Sequence, residues 1–249
     1  MHGLEMDVLG GARLDLAQGA FVASGVDNRR EMDMYLAKVE ALCQQIRGEV
    51  PRAGWRETAQ AIFDWLWRTK PQRYQFRGNY RLTDVLNAQL DPMAATVGNC
   101  LGLTVLYNLV ARGFGLPVKA VYVDEAFGAQ SHVLSIVELE GTEIDVDNIF
   151  PGGFDFQDHL GDPQRVLWGD AELISDIYHS VGWERHEQHD LGGAIESYSK
   201  AICLNPGYVK AHLNRGIAYA MMGRDDEARC DFDLCGDAGC ALRARLEDV

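Results

Sequence analysis

The sequence has no apolar run long enough to cross a membrane and no cluster of basic residues. A membrane-spanning helix needs roughly 20 consecutive apolar residues, and the longest candidate, 101–123, is interrupted by polar residues, glycines and a proline. Acidic side chains outnumber basic ones by 37 to 23, so the net charge is −14, which disfavours contact with nucleic acid or anionic membranes. The N-terminus carries acid where a signal peptide needs base. We expect a cytoplasmic protein that binds neither nucleic acid nor membrane.

The six cysteines form neither a disulfide framework nor a zinc pattern. The last three, Cys230, Cys235 and Cys240, recur every five residues, whereas zinc sites use closer pairs. In a chain of 249 residues without an export signal, reduced thiols are the expectation. We expect these three to be buried or half-buried helix residues, and we expect no metal and no organic cofactor. Nothing in the sequence indicates the oligomeric state.

Helical periodicity dominates the first part of the chain, and strand patterns follow it. The spacing of apolar residues predicts helices over 14–23, 28–47, 57–68 and 82–90, the last capped by Thr83 or Asp84, and a central helix from Asn99 or Cys100 to Gly113. Strands are predicted over 118–123, 131–139 and 142–149. Glu140-Gly141 predicts a two-residue turn between the last two. This order is typical of an α+β fold, with an antiparallel sheet packed on the Cys100 helix.

Two segments beyond residue 175 align at an offset of 34 residues, which is the tetratricopeptide period. Residues at the repeat's characteristic positions, most of them small or aromatic, occur in both: Gly182, Ala194, Tyr198, Ala201 and Pro206 in the first, and Gly216, Tyr219, Ala228 and Phe232 in the second. We therefore predict two domains, 1–170 and an all-α domain of about two repeats over 171–249. Two repeats are fewer than an array normally needs. They either extend the first domain structurally or offer a concave surface to a protein or peptide partner.

Cys100 is the first candidate for chemistry, because a thiol at a helix start meets free backbone N–H groups and the positive end of the helix dipole. His132 lies on the next-to-last predicted strand, and two aspartates lie on the last. With a two-residue turn, His132, Asp145 and Asp147 share one face of the hairpin. Asp147 is diagonal to His132, roughly 7 Å away, and Asp145 is roughly 13 Å away. Asp147 is therefore the preferred partner, although a three-residue turn would reverse the parity.

An acid that orients an imidazole, which in turn deprotonates a thiol, is the arrangement of activated nucleophiles. The backbone N–H of Cys100 would donate to an oxyanion. The sequence assigns no second donor, and a turn-forming role is favoured for Asn99. Each residue also has a structural interpretation: a small buried hydrophobe for Cys100, a hydrogen-bonded core histidine for His132, and strand-end caps for the two aspartates.

The same residues resemble a known family. Gly-Asn-Cys-Leu-Gly-Leu-Thr-Val-Leu-Tyr over 98–107, Ser-His-Val-Leu over 131–134 and Asp-Val-Asp-Asn over 145–148 resemble the nucleophile helix, histidine strand and acid strand of the transglutaminase-like superfamily. Residues 15–20, 76–79 and 151–154 resemble its SirB-type branch, in which tetratricopeptide repeats usually follow the core. The resemblance covers about residues 13 to 160. It implies a papain-like core with Cys100, His132 and Asp147 as a catalytic triad.

The expected function is cysteine-dependent acyl transfer, of the peptidase, amidase, deamidase or transglutaminase type, with a protein-binding repeat segment. Many SirB-type members lack the cysteine, so the alternative is a non-catalytic scaffold whose repeats bind a partner. The sequence indicates neither the substrate nor the acyl acceptor.

Overall fold

The computed structural model describes residues 3–10, 15–50, 54–126, 130–139, 141–157, 160–163, 165–236 and 239. The chain forms two compact units, Met1–Leu173 and Ile174–Val249. The first combines helices with one sheet and the second is helical, which confirms the expected α+β class and the helical repeat region. No helix among the described residues is long and apolar enough to cross a membrane.

In the part of the first unit that the structure describes, six helices precede the sheet. They are α1 (Gly3–Leu9), α2 (Leu16–Ala23), α3 (Arg29–Glu49), α4 (Trp55–Thr69), α5 (Leu82–Leu90) and α6 (Cys100–Gly113). Asp15 and Asn28 cap α2 and α3 through side-chain oxygens. The cap predicted for α5 is wrong, because α5 begins after Arg81 without a side-chain cap. The hydroxyl of Ser24 accepts the Leu82 N–H at 2.8 Å instead, a tertiary contact that local sequence does not reveal.

Helix α6 is the centre of the first unit and is buried on every side over 101–111. Helices α2 to α5 and strands β1 and β2 all pack against it. Its polar side chains bond to these neighbours: Thr104 to the Val133 carbonyl oxygen, Tyr107 to that of Ala59, and Asn108 to that of Lys119. Since a buried polar group without a partner costs free energy, these bonds favour one orientation of α6.

The sheet has four antiparallel strands, β1 (Val118–Ala126), β2 (Gln130–Leu139), β3 (Thr142–Val146) and β4 (Arg165–Trp168), in the order β3-β2-β1-β4. Leu139 lies opposite Thr142, and Ile136 lies opposite Asp145, which is the register expected for a two-residue turn. Strand β3 ends at Val146, three residues earlier than predicted, and β4 was not predicted.

The second unit contains paired helices that follow the predicted repeat. Helix α7 (Asp170–Glu187), in which the boundary between the units falls, is followed by α8 (Leu191–Leu204), α9 (Val209–Met221) and α10 (Asp225–Phe232). Ala194, Ala201 and Ala228 are fully buried. A Cβ atom on Gly182 would lie 2.6 Å from the Tyr198 ring, and one on Gly216 would lie 2.5 Å from the Phe232 ring. Both repeats therefore pack an aromatic ring directly against a glycine 16 residues earlier.

Replacement of Gly216 by alanine should destabilise the second unit, because the new methyl group overlaps the buried Phe232 ring. We expect a loss of about 1–3 kcal/mol in the free energy of unfolding, as in other overpacked sites. Gly192→Ala is the matched control, since nothing lies within 4 Å of a Cβ there. It should be neutral or stabilise α8 by up to about 1 kcal/mol. Chemical denaturation monitored by circular dichroism distinguishes the two, and equal stability of both variants would contradict the packing.

Candidate functional site

Cys100 is the first residue of α6 and is half-buried. The side chain of Asn99 caps the helix by accepting the Gly102 N–H at 3.0 Å, so Asn99 has the turn-forming role that the sequence favours. The N–H of Asn99 itself donates to the Asn79 carbonyl oxygen at 3.0 Å. The first N–H groups of a helix have no intrahelical acceptors, and the cap leaves the N–H of Cys100 for another acceptor.

Two glycines bring the start of α6 against the loop that precedes α5. A Cβ on Gly98 would lie 2.7 Å from the Asn79 carbonyl oxygen, and one on Gly102 would lie 2.6 Å from it. The Asn79 amide also donates to the Val97 carbonyl oxygen at 3.1 Å. The chain before Cys100 is thus fixed on a neighbouring segment and cannot move independently of it.

His132 and Asp147 form a buried pair on the sheet. His132 Nε2 lies 2.9 Å from Asp147 Oδ2, and the two side chains are 5% and 0% exposed. A second hydrogen bond joins the His132 side chain to Cys100. Since Nε2 faces the carboxylate, Nδ1 is the ring nitrogen that remains for the sulfur. The structure thus brings together all three residues that the sequence singles out.

The position of Asp147 depends on how β3 ends. Its N–H donates to the Gly153 carbonyl oxygen at 2.8 Å, and Asp147 Oδ1 accepts the Ile149 N–H at 3.3 Å. The chain then turns back, with Phe154 opposite Val146. The backbone of Gly153 lies so close to Asp147 that a Cβ there would be 1.9 Å from the Asp147 carbonyl oxygen.

Asp145, the other candidate acid, has a different partner. Both of its carboxylate oxygens accept hydrogen bonds from the Arg165 guanidinium, at 2.5 and 2.7 Å. Asp145 is 2% exposed, so this bidentate pair neutralises an otherwise buried charge. The hydrogen bonds to Asp145 raise the pKa of Arg165. Asp145 therefore joins strands β3 and β4 rather than contacting His132.

The surroundings of His132 favour its protonated form. Burial alone would lower the pKa of the imidazole, but the hydrogen bonds to Asp147 and Cys100, and the negative charges of both, outweigh that effect and raise it to about 9. At neutral pH the ring is therefore an imidazolium between a carboxylate and a sulfur. This is a charge state suited to stabilising a thiolate and to returning a proton later.

Tyr74 also borders the site, and sequence reasoning missed it because it lies in a segment without periodicity. It forms an isolated bridge with Gly98, two residues before Cys100. Burial, followed by the charges of Cys100 and Asp147, raises the pKa of its hydroxyl. The pairing with Gly98 is a contact between two loops, for which the sequence carries no direct signal.

The other described cysteines differ in exposure, and the described acids form no metal-binding cluster. No group of three or more His, Cys, Asp or Glu side chains among the described residues could hold a metal ion. The five described cysteines form no disulfide with one another. Cys235 is buried, but Cys203 and Cys230 are exposed, so the prediction of burial is wrong for Cys230. Cys240 lies outside the described residues.

Comparison with known proteins defines the class of the second unit. The sequence model of a family described as "TPR repeat" matches residues 182–223, where the glycine and aromatic pairs lie. The chain is also 26% identical over 129 residues to human tetratricopeptide repeat protein 36, covering 43% of this chain and 68% of that protein. The chain therefore contains tetratricopeptide repeats, as its sequence period predicts.

A second relative is an uncharacterized protein of Methanocaldococcus jannaschii. It is 39% identical over 59 residues, which cover 23% of this chain and 69% of the archaeal protein. The chain belongs to the same family as this archaeal protein, whose name states no activity.

One solved structure shares the fold. It is the crystal structure of menin that reveals the binding site for the Mixed Lineage Leukemia protein, with a TM-score of 0.51 and 12% sequence identity. The alignment covers 94% of this chain and 68% of the menin chain. At this identity the similarity concerns the fold alone.

Asp147→Asn should lower the pKa of His132 from about 9, because a hydrogen bond to a charged carboxylate is lost while burial remains. The imidazole would then lose its proton at a lower pH than in the wild type. Titration of the His132 ring by NMR measures the change directly.

Asp145→Asn is the matched control, since it removes an acid on the same sheet face without touching His132. It should leave the His132 pKa unchanged and lower the free energy of unfolding by about 3 kcal/mol, because Arg165 loses its buried charged partner and keeps only the exposed Glu143 at 4.0 Å. A similar fall of the His132 pKa in both variants would contradict the separate roles of the two acids.

Gly153→Ala should displace the Asp147 backbone, because the new methyl group overlaps the Asp147 carbonyl. We expect the free energy of unfolding of the first unit to fall by about 1–3 kcal/mol. Gly152→Ala controls for the loss of a glycine in the same turn, since its Cβ would meet only the Phe150 ring, at 3.9 Å. Urea denaturation of both variants tests this, and a Gly153→Ala protein as stable as Gly152→Ala would refute it.

Proposed function

We propose that this protein is a cysteine-dependent acyl-transfer enzyme of the transglutaminase-like superfamily, SirB-type branch, in which Cys100, His132 and Asp147 form the triad. The observation that carries the proposal is the buried His132 side chain, hydrogen-bonded to both Asp147 and Cys100. A histidine with a purely structural role would not require the sulfur of a cysteine at the start of a helix as its second hydrogen-bond partner.

In the proposed first step the Cys100 thiolate attacks an amide carbonyl carbon. A carbon–sulfur bond forms, and the electron pair of the C=O π bond moves to the oxygen, where the Cys100 N–H donates to it. The oxyanion then collapses and the C–N bond breaks. The leaving nitrogen takes the proton of the His132 imidazolium, which leaves a thioester and a neutral imidazole.

In the second step the neutral imidazole accepts a proton from water or from an amine as it attacks the thioester carbonyl. Collapse of the new tetrahedral intermediate breaks the C–S bond and restores the thiolate and imidazolium. Water gives hydrolysis, as in a peptidase, amidase or deamidase, and an amine gives a new amide, as in a transglutaminase. Asp147 takes no part in these proton transfers and holds the ring orientation.

The arrangement of the first unit supports this assignment. A mostly buried helix begins with the cysteine and packs on an antiparallel sheet that carries the histidine, as expected of a papain-like core. The triad lies within the proposed domain 1–170, and the repeats lie within the proposed domain 171–249. The described cysteines form no disulfide, which agrees with the reducing cytoplasm that we propose as the protein's location.

We further propose that the repeats bind a protein or peptide, either the substrate itself or a partner. Trp183 on α7 and Met221 on α9 are about half exposed and both lie near His186, whose Nε2 is 3.3 Å from the Met221 sulfur. Aromatic and methionine side chains are enriched at protein interfaces. The fold shared with menin, whose structure reveals a binding site for another protein, agrees with this role. If Cys100 proves inert, the protein is a scaffold that acts through these repeats.

Cys100 should react with iodoacetamide at pH 6.5 at least about tenfold faster than an ordinary thiol, because the neighbouring imidazolium favours the thiolate. The exposed Cys203 and Cys230 serve as internal controls, since they are more accessible than Cys100. Peptide mass spectrometry after short labelling times gives all three rates in one sample.

His132→Asn should reduce the Cys100 rate to that of the two exposed thiols while leaving their rates unchanged. An activity-based thiol probe on the wild type and on Cys100→Ala then identifies trapped acyl adducts. Labelling of Cys100 that is no faster than that of Cys203 and Cys230 would overturn the enzyme proposal and favour the scaffold.

A further inference from the structure

Tyr74 is fixed beside the start of α6 by backbone hydrogen bonds on both sides of it. The Arg73 carbonyl oxygen accepts the N–H groups of Val97 and Gly98 at 2.8 and 3.1 Å, and the Gln75 N–H donates to the Gly98 carbonyl oxygen at 3.0 Å. These bonds form the parallel bridge between Tyr74 and Gly98. The position of Tyr74 relative to Cys100 is therefore set by the backbone.

The residue before Tyr74 adds a second constraint. Arg73 is 1% exposed and its guanidinium lies 5.9 Å from the centre of the Trp67 ring. Such a buried side chain cannot shift without leaving the core. The segment 73–75 is thus held both by the chain leading to Cys100 and by α4.

The side chain of Tyr74 is half-buried, and its hydroxyl has no hydrogen-bond partner among the described residues. Cys100 and Asp147 both act on it electrostatically, so it lies close to the reacting end of the triad. Because burial and these two charges raise its pKa, the hydroxyl keeps its proton at neutral pH, as a hydrogen-bond donor must.

We propose that the Tyr74 hydroxyl is the second donor of the oxyanion site, acting together with the backbone N–H of Cys100. This inference rests on the proposed acyl-transfer function. When the thiolate attacks the carbonyl carbon, the negative charge moves from sulfur to oxygen, and both donors bond to that oxygen. The Tyr74 proton is not transferred, and when the C–N bond breaks the electron pair returns to the carbonyl.

The test compares two reagents that attack the same thiol. Acylation by 4-nitrophenyl acetate passes through an oxyanion and releases 4-nitrophenolate, whereas alkylation by iodoacetamide displaces iodide and forms no oxyanion. Tyr74→Phe should slow acylation of Cys100 by about 100- to 1,000-fold, as expected for loss of one oxyanion donor. The rate of alkylation should stay that of the wild type, because the thiolate and His132 are unaffected.

Tyr122→Phe is the matched control. It removes a tyrosine hydroxyl of the same unit that bonds to Asp124 at 2.9 Å, and it should change neither rate. Cys100→Ala gives the background hydrolysis of the ester. All measurements use the full chain.

A Tyr74→Phe protein that slows neither reaction, or slows both equally, overturns the assignment of Tyr74. In the second case the tyrosine supports the structure around the thiol rather than the oxyanion. If the wild-type Cys100 reacts no faster than the exposed cysteines with either reagent, the acyl-transfer proposal itself fails. The two failures are thus told apart by the behaviour of the wild type.

Discussion

The hydrogen bond between His132 and Asp147 depends on the turn that follows β3, and the rest of the site depends on that bond. Asp147 is fully buried, and a buried carboxylate is costly unless hydrogen bonds and an opposite charge compensate it. The turn supplies the Ile149 N–H to one oxygen and directs the other to His132. The close backbone contact at Gly153 holds the turn in this form. The imidazolium is then the counter-charge that makes burial of Asp147 tolerable.

The two aspartates on the His132 face of the sheet have different partners, and these partners give them different roles. Asp145 and Asp147 have the same strand parity and are both buried. Asp145 meets a guanidinium, which keeps its charge at all physiological pH values and cannot give up a proton. Asp147 meets an imidazole, which can. The same type of side chain therefore strengthens the sheet at position 145 and raises the pKa of a titratable group at position 147.

The local sequence pattern predicted the helix and the hairpin that carry the site residues. The end of β3 and the position of Tyr74 depend instead on long-range contacts. Helix α6 was predictable because its apolar period and its glycine stop are local, and the hairpin register followed from a two-residue turn. The early end of β3 was not predictable, since it depends on residues 153–156 returning to pair with β3. Tyr74 was missed for a similar reason, because its partner Gly98 is a loop residue 24 positions away.

The charges of the proposed site explain why stabilisation of the oxyanion requires hydrogen-bond donors rather than additional cations. A thiolate, a carboxylate and an imidazolium sum to one negative charge, and the attack of sulfur on a carbonyl leaves that sum unchanged. Only the location of the charge moves, from sulfur to oxygen. Catalysis requires groups that interact more strongly with the second location than with the first. A fixed backbone N–H and a fixed tyrosine hydroxyl near the oxygen meet this requirement, whereas another cation beside the sulfur would stabilise the starting thiolate as well.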